Sequence, residues 1–98
     1  MNRTQTIAKL KSYADPIKAL GATSLFLFGS TARNENNSDS DLDLFVDYDS
    51  TGKFNALDLV DIKFLLEDRL GIEFDITNRD SLHPMLRDDI EKSAVRVF

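Results

Sequence analysis

The sequence has no cysteine, one histidine and no long apolar run, and each of these absences removes a class of chemistry. Without cysteine there is no disulfide framework, no thiolate metal site and no thiol nucleophile. His83 has no second histidine with which to build a nitrogen-rich metal site or a triad, and its place just before Pro84 suits the start of a helix. No stretch approaches the roughly 20 apolar residues that a membrane-spanning helix needs, and Asn2, Arg3, Thr4 and Gln5 do not make the apolar core of a signal peptide. A soluble, cytoplasmic protein is expected. Internal repeats, low-complexity segments and linkers are also missing, so the 98 residues are expected to form one domain, 1–98. Clustered Lys and Arg are lacking too. A net charge of −5 works against binding to a nucleic-acid backbone, and no direct nucleic-acid contact is expected.

Apolar residues make up 42% of the chain and fall in short clusters, such as Leu25-Phe26-Leu27-Phe28 and Phe64-Leu65-Leu66, as in a folded protein. Ile7, Leu10, Ala14 and Ile17 recur at helical spacing. Asp15-Pro16 interrupts that pattern and predicts a kink or two short helices ending near Gly21. Thr23 to Phe28 reads as a buried central strand. Asp41 to Asp47 alternates as a second strand, with Leu42, Leu44 and Val46 on one face and Asp41, Asp43, Phe45 and Asp47 on the other. Asn55 to Leu70 carries Leu59, Ile62, Leu66 and Leu70 at helical intervals before Gly71, a C-terminal cap. Ile72 to Thr77 alternates again as a third strand, Pro84 opens a last helix over Met85 to Ser93, and Val95 to Phe98 is a β-like tail. The element order is that of a small α/β (α+β) domain. Phe26, Phe28, Phe45, Phe64 and Phe74 read as packing residues rather than a base-stacking platform.

The block Asp39 to Asp49 holds five Asp and no Lys or Arg. Taken alone it is a solvated acidic loop. Two acids at i and i+2 on a strand, however, project from one face about 7 Å apart at Cα, within reach of one or two shared cations. Asp41 and Asp43 have that spacing. Hard cations such as Mg²⁺ take carboxylate and phosphate oxygens together. Asp75, mid-strand between Phe74 and Ile76, would complete the cluster if its strand lies beside that of Asp43. Gly29-Ser30 follows the first strand, where glycine admits close backbone approach and the amides of a following helix turn can hold an anion. Alone, that pair is a common turn; the combination is what carries weight.

Gly29-Ser30, ten residues, then Asp41-Leu42-Asp43-Leu44 resembles the signature of the DNA polymerase β nucleotidyltransferase superfamily. The longer run Phe28-Gly29-Ser30-Thr31-Ala32-Arg33, followed by Ser40-Asp41-Leu42-Asp43-Leu44-Phe45-Val46, is similar to the minimal nucleotidyltransferase family. Gly-Ser and Asp-x-Asp at one fixed spacing should arise by chance on the order of once in a thousand chains of this length. Ser38-Asp39-Ser40-Asp41 spells the same Ser-Asp-x-Asp pattern two residues earlier, but the spacing and the apolar positions favour Asp41 and Asp43.

The resemblance implies a polymerase-β-like fold, a small mixed sheet with helices packed on it. It implies Asp41, Asp43 and Asp75 as catalytic carboxylates and metal ligands, with two Mg²⁺ ions. Gly29, Ser30, Arg33 and Ser40 would serve the nucleotide, with Gly29 and Ser30 gripping the triphosphate. Arg33 matches the family's Ala-Arg pair, and is equally well a surface residue opening a polar loop. The family usually has Gly after that Arg; Asn34 stands here, a residue that tolerates the same left-handed turn. Members of the family are commonly paired with a HEPN-type toxin, which implies AMP transfer from ATP to a toxin tyrosine and an antitoxin role. The alternative is an antitoxin that neutralises its partner by contact alone. Transfer to an aminoglycoside or to RNA would normally require a further domain or a basic surface.

Overall fold

The computed structural model describes residues 3–29 and 42–98. The N-terminal helical stretch is two helices, α1 (Arg3–Lys11) and α2 (Ala14–Ala19), which resolves the expected kink into a break. The break falls at Ser12-Tyr13, ahead of the proline, and Tyr13 rather than Asp15 occupies the N-cap position. Pro16 then sits in the first turn of α2, where backbone N–H groups have no helical partner and a missing donor costs nothing. Leu10 and Ile17 are buried.

Strand β1 (Ala22–Phe28) lies inside a four-stranded sheet of order β3-β2-β1-β4, as its apolar run predicts. It pairs antiparallel with β2 (Leu42–Tyr48) on one side and β4 (Val95–Arg96) on the other. Helix α3 (Ala56–Leu70) carries the chain from β2 to β3 (Phe74–Asn78), and β2 and β3 are parallel. The crossover is bounded as the sequence predicts. Asn55 accepts from the Leu57 N–H at 2.8 Å while its own N–H donates to Asp58 at 2.9 Å, and Gly71 ends the helix at φ 66°. Strand β3 begins two residues later than its alternation suggests: Ile72 packs against the core, but the ladder opens only where the Leu42 N–H donates to the Glu73 carbonyl. A single 3₁₀ turn (Arg79–Ser81) leads to α4 (Pro84–Ser93). His83 is its N-cap, and its Nδ1 accepts from the Met85 N–H at 3.2 Å, the helix-start role expected of it.

One sheet face is a conventional core. Leu25 and Leu27, Leu42, Leu44 and Val46, and Phe74 pack against Leu10, Ile17, Ile62 and Leu66. Phe64 is not part of it, and its side chain is 62% exposed. At about 100° per residue it lies some 200° around α3 from the buried Ile62, so adjacency to Leu65-Leu66 says nothing about its own face.

The other face is built differently. Phe45 is fully buried there, with Phe26 stacked on it at 4.8 Å between centroids and Phe28 tilted against it at 5.5 Å. The Arg79 guanidinium lies 4.9 Å from the Phe26 ring centroid and 5.1 Å from that of Phe45. It also grips Asp47 with two bonds of 2.7 and 3.0 Å. Glu91 of α4 accepts from Arg87 at 2.8 Å and lies 3.5 Å from Arg79, which ties α4 to this face. The bond to Asp47 raises the Arg79 pKa, with burial opposing it. The bond from Arg87 lowers that of Glu91, and the Arg79 charge adds to it.

Candidate active site

Three strands bring their functional residues to one corner of the second face. In the β1–β2 ladder Phe28 is opposite Asp43, so Gly29 leaves β1 directly beside that carboxylate. In the parallel β2–β3 ladder Asp43 is opposite Asp75. Cross-strand partners point to the same side, at the roughly 5 Å spacing of neighbouring strands. The adjacency that the sequence reading required of Asp75 is therefore present, although the two residues are 32 positions apart.

Gly29 has φ 77°, a left-handed conformation that side chains rarely adopt. A Cβ there would collide with the Asp43 carboxylate. Glycine at this point serves two purposes, since it makes the turn out of β1 and leaves room for the carboxylate. Asp43 is half-buried, and Asp75 is exposed at the rim. Of the other expected site residues, Asp41, Ser30, Arg33 and Ser40 lie outside the described residues. Among those described, no group of three or more His, Asp or Glu is placed to hold a metal ion. The Asp43–Asp75 pair, two oxygen donors side by side with one partly open to solvent, fits the chemistry of a hard divalent cation.

The sequence reading passed over what lies against this corner. A cleft of about 420 Å³ runs between the end of β1 and α4, lined by Phe28, Gly29, Leu86, Asp89, Ile90 and Ser93. The α4 residues have the spacing i, i+3, i+4, i+7, a single helix face that was visible in the sequence. What was not visible is that this face looks onto the turn at Gly29.

The comparisons agree with this geometry. The family model described as "Nucleotidyltransferase domain" matches residues 10–97. A candidate protein adenylyltransferase of Methanocaldococcus jannaschii is 46% identical over 72 residues, 74% of this chain and 75% of that protein. A second from the same organism is 33% identical over 75 residues, 76% of this chain and 74% of that one. The solved structure of a candidate minimal nucleotidyltransferase superposes with a TM-score of 0.83 at 33% identity, covering 97% of this chain and 95% of the other. A toxin–antitoxin structure with AMP-PNP shares the fold, with a TM-score of 0.69 at 14% identity over 90% of this chain and 72% of that one. The chain belongs to the nucleotidyltransferase-domain family, and its place within that family is among the minimal nucleotidyltransferases. Among the described residues no helix is long and apolar enough to cross a membrane.

Proposed function

We propose that this chain is a metal-dependent protein adenylyltransferase, which transfers AMP from ATP to a tyrosine hydroxyl of a HEPN-type toxin and so acts as its antitoxin. The observation that carries the reading is the pairing of Asp43 with Asp75 beside a glycine that has no room for a side chain. The protein-adenylyltransferase names of the relatives and the AMP-PNP in a structure of the same fold support the choice of nucleotide. Asp41, Asp43 and Asp75 would hold two Mg²⁺ ions, which when bound supply acidity to the acceptor hydroxyl and offset charge on the leaving pyrophosphate.

The chain's own residues position the reactants. On the family resemblance, the amides and hydroxyl of Gly29 and Ser30 would serve the β- and γ-phosphates, and Arg33 would add a cation. Asp75 is the exposed member of the pair, which supports assigning it to the acceptor side. The acceptor hydroxyl gives its proton to Asp75 as its oxygen bonds to the α-phosphorus and the bond from that phosphorus to the β-bridging oxygen breaks, and pyrophosphate leaves. Rate comes from positioning and preorganised charge.

A contact-only antitoxin is the second reading. It is favoured by the apolar side chains that α3 exposes at Leu57, Val60 and Phe64. Incubating the protein with labelled ATP, Mg²⁺ and the product of the adjacent reading frame, then locating the label by mass spectrometry, separates the two. AMP on a partner tyrosine is expected. Full neutralisation without any label would leave only the contact reading.

A further inference from the structure

The cleft between the end of β1 and α4 has an unusual lining for a surface groove. Phe28, Leu86 and Ile90 are apolar, and Leu86 is 54% exposed. Its polar members are Asp89 and Ser93. The Ser93 hydroxyl already donates to the Asp89 carbonyl at 3.0 Å, so what it has left to offer is a lone pair. The Asp89 carboxylate accepts only, and makes no hydrogen bond or ion pair among the described residues. Apolar walls with acceptors alone repel phosphate and suit a flat, weakly polar ring that carries a donor. The cleft opens at Gly29, so a nucleotide gripped there has this groove within its reach.

We propose that this cleft takes the base of the nucleoside triphosphate, with Asp89 accepting from an exocyclic amino group and Phe28, Leu86 and Ile90 packing on the ring. The proposal rests on the transferase reading and adds base selection to it. Adenine and cytosine carry an amino group at corresponding ring positions. Guanine and uracil offer a carboxylate ring N–H groups, and guanine a second amino group, so the contribution of the amino group is isolated by comparing ATP with purine riboside triphosphate, which has neither that amino group nor a ring N–H. Because Asp89 is exposed, the discrimination is expected near the lower end of the ten- to hundred-fold range for a hydrogen bond to a charged group.

Calorimetric titration of the full chain with ATP and with purine riboside triphosphate in the presence of Mg²⁺ tests it without reference to transfer. ATP should bind roughly tenfold more tightly than the analogue without the amino group. Asp89→Ala, which has no side-chain acceptor, should narrow that gap to within about threefold, chiefly by weakening ATP. Ile90→Ala should weaken both together. Equal affinity for the two triphosphates, or a gap left unchanged by Asp89→Ala, would overturn the base cleft and leave the transferase reading intact. Failure of every triphosphate to bind would overturn both.

Discussion

The two faces of the sheet solve different problems with the same strands. On one, leucines, isoleucines and valines meet helices α1 to α3 and water is excluded. On the other, an aromatic pair is roofed by an arginine whose charge is balanced by Asp47 and Glu91, and the strand ends carry Asp43 and Asp75. Alternation along β2 makes this possible, because each residue that builds the core has a neighbour that faces the site. The apolar core lies on the first face and the proposed chemistry on the second, so substitutions one position apart should have opposite consequences.

The largest expected contrast is between Asp43 and Leu44. Asp43→Asn should lower AMP transfer by at least a hundredfold, as for loss of a central charge-stabilising group. Its melting temperature should hold or rise, because one of two crowded carboxylates is neutralised. Leu44→Ala should cost about 2–5 kcal/mol of stability, read as a lower urea midpoint, and folded Leu44→Ala should retain the chemistry. Wild-type transfer by Asp43→Asn, or an unaffected Leu44→Ala midpoint, would erase the division between the faces.

Gly29→Ala should act on both quantities at once. The left-handed backbone costs a residue with Cβ about 1–2 kcal/mol, and the methyl group must displace the Asp43 carboxylate. Transfer should therefore fall further than the modest drop in melting temperature suggests. A variant that loses stability but keeps full transfer would show that the tight approach of Gly29 to Asp43 has no role in the site.

The smallest effects belong to the arginine roof. Arg79→Lys loses the two-pronged grip on Asp47 and the flat contact with the rings, but this site is partly solvated. About 1 kcal/mol is expected, or a melting point lower by roughly 4–8 °C in a domain of this size. The Glu91 link has a defined pH signature. Its folded pKa is depressed below the ordinary 4.5, so its stabilising contribution is present above the unfolded value and is lost as pH falls through the folded one. Arg87→Ala should thus melt earlier than wild type at neutral pH, and the difference should vanish in acid. A difference independent of pH would assign Arg87 a packing role only.

Much of this molecule was legible because its signals are local. The apolar spacing of α3 from Asn55 onward, Gly71, the alternation of β2 and the run in β1 each lie within one element, and each element appears where its residues put it. Even the pairing of Asp43 with Asp75 followed from two short patterns, once the strands were taken as neighbours. The second face was illegible for the opposite reason. Arg79 reaches Asp47 across 32 positions, and Asp89 meets Gly29 only because α4 folds back over β1. Nothing within either segment announces such a meeting. Phe64 shows the same limit from the other side, since composition marked it apolar while only its angle on α3 decides its exposure.

Strand β3 is at the border of the sheet, with one row of main-chain groups that no strand among the described residues pairs. Glu67 of α3 already takes the first of these, accepting from the Phe74 N–H at 3.1 Å. The strand is only five residues long and carries Asp75, with Glu73 just ahead of it, so an incoming copy would bring like charges together. The carboxylate proposed for catalysis thus also belongs to the charges that disfavour edge-to-edge pairing of this strand with a second copy.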